Sequence, residues 1–104
     1  MKIPRSIKIQ AHKIEIRVVK TIKEFTDVLG YANLTQNLIV MRTHYNGEKL
    51  KESTRAEVFM HEILHEVAEL NAIKLTEQQI KQLGGGLLQV IRDNKLNFLD
   101  KTEA

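Results

Sequence analysis

The period of the apolar residues changes along the chain, and that change limits the fold more than any other feature. Ile7 and Ile9 alternate with polar neighbours, and so do Ile14, Ile16 and Val18. Period two carried by β-branched residues predicts two strands, each with one buried face. Gln10 to Lys13 is then the hairpin loop, although it lacks an Asn-Gly or Asp-Gly pair. From Thr21 to Leu29 the period lengthens. Ile22, Phe25, Val28 and Leu29 share one helical face, Thr21 with Glu24 makes a capping box, and Gly30 is a stop. A short helix is expected there.

Tyr31 to Asn33 reads as a short strand, and Thr35 to Asn37 as a turn. Leu38 to Arg42 is a compact apolar run that suits a further strand. Asn46-Gly47 marks a turn in the polar stretch from His44 to Lys51. Beyond it the pattern is helical. Thr54 and Glu57 make a second capping box, and Ala56 to Ala72 runs without Gly or Pro. Thr76 and Gln79 make a third box. It opens a last helix whose apolar stripe, Ile80, Leu83, Leu87, Val90 and Ile91, has the spacing of a core-facing helix, ending near Asn94. Residues 95–104 are expected to be an irregular, frayed tail. The fold class that follows is α+β: a small, mostly antiparallel or mixed sheet packed on two helices. A length of 104 residues suits one domain, 1–104.

Composition narrows the chemistry. With no cysteine, a thiolate metal site is excluded, so any zinc must be held by imidazole and carboxylate. The net charge is only +3. Lys2, Arg5, Lys8, Lys13, Arg17, Lys20 and Lys23 are spaced along the strands rather than clustered, as on a solvated face. Nucleic acid is therefore a disfavoured partner, and 5% aromatics offer few stacking platforms. No apolar stretch follows Met1 to Arg5, and the longest apolar run, Leu38 to Met41, is too short to span a bilayer. A cytoplasmic protein without membrane contact is expected.

His61-Glu62-Ile63-Leu64-His65 matches H-E-x-x-H. Side chains four apart on an α-helix project about 40° apart, so two imidazoles can reach one Zn²⁺ at roughly 2.0–2.1 Å. Glu62 lies between them, placed to take a proton from a water whose pKa zinc lowers from about 15.7 towards 7. Such a pattern arises by accident in on the order of one chain in a hundred. Here it also sits in the best-defined helical pattern. Phe59, Ile63, Val67 and Leu70 form a separate core-facing side of that helix. A third ligand must come from elsewhere, because Asn71 stands where a third His six residues on would be. Glu69 and Glu77 are the two candidates. Glu69 would require one ion to meet three turns of a straight helix, whereas Glu77 opens a helix that can fold back, and it is preferred. Tyr31, His44 and Tyr45 are the side chains available to stabilise an oxyanion. His12 is expected to be exposed in the hairpin loop.

On these residues the chain resembles the gluzincin clan of zinc peptidases. Within it the chain is similar to the very small branch found in phages and mobile elements (minigluzincins and the ImmA/IrrE-like domain that cleaves phage-type repressors). Glu77-Gln78-Gln79-Ile80-Lys81-Gln82-Leu83-Gly84 and Leu87-Leu88 follow the spacing of that family's ligand helix. Ile3-Pro4-Arg5-Ser6-Ile7 and Arg92-Asp93-Asn94 also look like the small phage proteins. The chain departs from the family at Gly84, where Ala is usual, and Gly84 to Gly86 stand mid-helix at roughly 0.8–1 kcal/mol each. The resemblance implies a zincin-like fold and a zinc peptidase with His61, His65 and Glu77 as ligands and Glu62 as catalytic base. It also implies a protein or peptide substrate that adds to an edge strand above the metal helix, for which Leu38 to Arg42 is the candidate. Two alternatives stay open: a metal-binding module without activity, and a small basic nucleic-acid-binding regulator.

Overall fold

A computed structural model describes residues 3–96. Six strands precede two helices: β1 (Ser6–Ile9), β2 (His12–Val19), β3 (Gly30–Asn33), β4 (Leu38–Arg42), β5 (His44–Tyr45), β6 (Glu48–Lys49), α1 (Glu52–Leu70) and α2 (Glu77–Asn94). The first four make a mixed sheet in the order β1-β2-β4-β3. β2 and β4 run parallel, and the outer pairs are antiparallel. β5 and β6 form a separate small hairpin around the expected Asn46-Gly47 turn, where both residues have positive φ. The α+β class with a mixed sheet and two helices is as expected.

Alternation builds the core. Ile9, Ile14, Ile16, Ile39 and Met41 are buried on one face of the sheet, against Phe59, Ile63, Val67 and Leu70 of α1. Leu38 and Val40 point the other way and join Ile22, Val28 and Tyr31. β4 is thus buried on both faces, which is why it reads as a continuous apolar run rather than an alternating one. The β1–β2 hairpin closes through Gln10, held at φ 54. His12, expected in that loop, is instead the first residue of β2, and it is exposed.

Two sequence expectations are corrected here. Thr21 to Leu29 is not a helix but an irregular crossing between β2 and β3. A segment of nine residues is too short to hold a helix by local interactions alone. Tertiary contacts capture its backbone instead: the buried Arg42 side chain donates to Thr26 O (3.1 Å), Val28 O (3.3 Å) and His44 O (2.6 Å). The Thr54–Glu57 capping box does not form either, because α1 starts earlier, with Lys51 as its N-cap. Leu50 N–H donates to Thr43 O at 2.8 Å, so the chain is tied to the end of β4 just before the helix begins.

At its other end α1 stops at Leu70 rather than Ala72. Ile73 N–H reaches Ala68 O (2.8 Å) and Ala72 N–H reaches Glu69 O (3.2 Å), the bonding of a Schellman turn. Its pivot is Ala72 at φ 55, a left-handed position that glycine occupies without steric cost. Ala72→Gly is therefore expected to raise unfolding free energy by about 0.5–1 kcal/mol in a denaturant titration. α2 then opens with the expected box: Gln79 N–H donates to Thr76 Oγ1 (3.1 Å) and Thr76 N–H to Gln79 Oε1 (2.8 Å). It runs unbroken through Gly84–Gly86 to Asn94, with Lys95 in the left-handed region as C-cap. The remainder of the expected tail, 97–104, lies outside the described residues. No helix among the described residues is long and apolar enough to cross a membrane.

Candidate metal centre

The turn at Ala72 and the cap at Thr76 bring α2 back along α1 and set Glu77, the first residue of α2, opposite the H-E-x-x-H turn. Glu77 Oε2 lies 3.0 Å from His61 Nε2, and Glu77 Oε1 lies 2.7 Å from His65 Nε2. The two imidazole nitrogens are 3.1 Å apart. Among the described residues, these three form the one group able to offer converging ligand atoms to a metal ion. Glu69 is outside it. Four donors arranged tetrahedrally at 2.0–2.1 Å would stand about 3.3 Å from one another. The spacings seen here are a few tenths of an ångström shorter, so a small outward movement opens the triangle to that size. Two imidazoles and one carboxylate also leave a coordination position free, as catalytic rather than structural sites do.

Close approach of α2 to α1 makes this possible. Gly84 is buried where the helices meet, and a Cβ there would lie 3.4 Å from Leu64 Cδ1 and 3.6 Å from Met60 Cγ. Gly85 and Gly86 have open space around the corresponding position. Of the three mid-helix glycines, only Gly84 serves packing against the metal helix.

Glu62 faces inward from between the histidines and is 6% exposed. Burial pushes its carboxyl up from 4.5 to about 7, and the negative charges of Glu77 and Glu66 add to the rise. In the metal-free protein a carboxyl so placed can exchange a proton near neutral pH. Glu66, one turn further along the same buried row, is 1% exposed, and neither of its carboxylate oxygens has a partner among the described residues. Its pKa is also raised, chiefly by burial and then by Glu69, with His12 and His65 opposing. Its i+4 spacing from Glu62 is the only sequence signal that could have singled it out.

Above the histidines lies an open cleft of about 920 Å³ between α1 and β3, reaching α2 at Gly84 and Gly85. The strand bordering it is β3, not the expected Leu38–Arg42. Parallel pairing with β2 and antiparallel pairing with β3 place Leu38–Arg42 inside the sheet, and all five of its residues are buried. Among the described residues, β3 has a neighbour on one side only. It lies against α1 because Gly30 lets it: a Cβ at Gly30 would stand 2.8 Å from Val58 Cγ1 and 2.9 Å from Val40 O, and 3.7 Å from Glu62 Oε2. The sequence suggested only a helix stop at Gly30. Of the three side chains considered for an oxyanion, Tyr31 lines the cleft. His44 is occupied by Thr43 Oγ1 at 2.7 Å, and Tyr45 lies beneath the Arg42 guanidinium. Comparison with family models, curated proteins and solved structures gives no match to this chain.

Proposed function

We propose that the protein is a zinc-dependent metallopeptidase of the gluzincin type, with His61, His65 and Glu77 as ligands and Glu62 as general base. One observation carries this reading. Two imidazoles from one helix and a carboxylate from the next meet within about 3 Å of each other, beside a buried carboxylate raised to about 7 and under an open strand edge. The zincin-like character of the fold and a phage or mobile-element setting belong to the same proposal, through the resemblance of His61 to His65 and of the helix beginning at Glu77.

A zinc ion held by these three residues would polarise the scissile carbonyl and acidify the attacking water. Glu62 then accepts the proton of that water and returns it to the leaving amine. Its position between the ligands keeps it out of their coordination and near the reacting atoms. The free edge of β3 offers backbone groups to an extended substrate, which would add as a further strand. The side chain of Tyr31, at the cleft wall, is placed to steady negative charge on the carbonyl oxygen.

The test begins with metal content. Protein purified without chelator is expected to hold close to one zinc per chain by elemental analysis, and a His61→Ala/His65→Ala double variant is expected to hold none. Wild type should cleave an unstructured protein substrate, and the double variant should not. Equal metal in both proteins, or cleavage that survives the double substitution, would remove the proposal. Zinc without cleavage by wild type would leave a binding module.

A further inference from the structure

Charge is distributed unevenly between the cleft and the rest of the chain. The protein has 16 Lys and Arg against 13 Asp and Glu. Yet among the described residues Asp27, Glu57, Glu62, Glu69 and Glu77 line the cleft, with Lys81 as the only basic one other than His. With zinc bound, two of these carboxylates offset the ion: Glu77 as ligand and Glu62 as the base beside it. That leaves Asp27, Glu57 and Glu69 opposed by Lys81 alone. These three are exposed, and none of their carboxylates forms a hydrogen bond or ion pair with another described residue. The Glu62 carboxylate likewise has no hydrogen-bond partner among the described residues, is nine-tenths buried, and borders the same cleft.

The geometry of α1 turns this imbalance into a spacing. Glu57, His61, His65 and Glu69 are successive members of one i, i+4 row. At 1.5 Å per residue, Glu57 and Glu69 stand about 18 Å apart along the axis with the ligand turn midway. An extended chain advances about 3.3 Å per residue, so about 9 Å on either side of the metal corresponds to the third residue on each side of the scissile bond. Asp27 lies on the segment leading into β3, across the cleft from α1.

We infer that the cleft selects extended peptide segments carrying Lys or Arg about three residues before and after the cleaved bond, through Glu57, Glu69 and Asp27. This inference rests on the peptidase reading and specifies its substrate class. Each exposed ion pair contributes modestly, so the three together should discriminate by on the order of tenfold between basic and acidic peptides. The preference should weaken as salt screens it.

The test uses the zinc-loaded Glu62→Gln protein, which holds substrate without turnover. Three labelled ten-residue peptides are compared, identical except for Lys, Gln or Glu at the third position on each side of the central bond. Dissociation constants are read by fluorescence anisotropy at low and high salt. The Lys peptide should bind about tenfold more tightly than the Glu peptide. That ratio should fall towards one at high salt and in a background that adds Asp27→Asn, Glu57→Gln and Glu69→Gln. Should the triple substitution impair folding, the salt series and single Glu69→Gln carry the same comparison. Equal binding of the three peptides, absence of binding by all three, or a ratio that survives neutralisation of the carboxylates overturns the inference. Failure of the peptidase reading is seen separately, in the zinc content of wild type and its cleavage of the Gln peptide.

Discussion

Glu62→Gln is expected to lower peptide cleavage by about 10²–10⁴-fold while leaving zinc content unchanged. Gln has the shape of Glu but cannot accept the proton, and position 62 contributes no ligand atom to the triad. A loss of activity accompanied by loss of metal would mean that Glu62 holds the site together rather than acting in it. The same variant should alter the response of the metal-free protein to pH. In the fold Glu62 has its pKa raised from 4.5 to about 7, first by burial and then by Glu77 and Glu66. The folded state therefore binds the proton more tightly than the unfolded chain does. That contribution is present in full below about 4.5 and is lost as pH rises through about 7. Metal-free wild type should accordingly lose on the order of 3 kcal/mol of stability from this group between pH 4.5 and pH 8. Metal-free Glu62→Gln should lack that component, so urea titrations of the two proteins should diverge as pH rises. Parallel curves would show that the carboxyl ionises in the fold without penalty.

Gly30→Ala should be the most damaging single methyl added to the chain. Its carbon would meet Val58 Cγ1 at 2.8 Å and Val40 O at 2.9 Å. The first contact can be eased by a side-chain movement. The second is with the backbone of β4, which pairs with β3 and cannot retreat without disturbing the sheet. Overpacking of this kind costs about 2–3 kcal/mol, which for a protein of this size lowers Tm by roughly 10–15 °C. Cleavage should suffer beyond the loss of stability, because the bordering strand would shift relative to Glu62, whose Oε2 lies 3.7 Å from the new carbon. A paired Val58→Ala substitution should restore part of the loss, since it removes one of the two close contacts. Wild-type thermal stability and full activity in Gly30→Ala would contradict the account of how β3 is seated.

Sequence and structure coincide where local chemistry and tertiary demand agree. Ile14 and Ile16 alternate because one face of β2 meets α1, and Thr76 with Gln79 caps α2 because both side chains are exposed and free to reach the backbone. The pairing of His61 and His65 could be read from spacing alone, since four residues are one helical turn. Glu77 could be argued from sequence only by supposing that the second helix folds back, and the left-handed turn at Ala72 that causes this carries no glycine to announce it. The failures share one cause. Ile22, Phe25 and Val28 have helical spacing, but the carbonyls of that segment are taken by Arg42, sixteen residues from Thr26. Leu38–Arg42 looks like any apolar strand, and its central place depends on a parallel pairing with β2 that no local pattern encodes. Gly30 resembles an ordinary helix stop, because the side chain that would collide with a Cβ belongs to α1.

α2 is eighteen residues long, yet only Ile80 and Gly84 are buried along it, while Leu83, Leu87, Val90 and Ile91 are each more than 40% exposed. A helix so lightly seated opens at lower cost than the α1–sheet unit, and when it opens it takes Glu77 away with it. Two of the candidate donors thus come from the helix packed on the sheet, and the third from a helix that buries only Ile80 and Gly84. In the proposed site an ion would therefore meet the two imidazoles first and the carboxylate last, and its release would begin with the parting of α2 from α1.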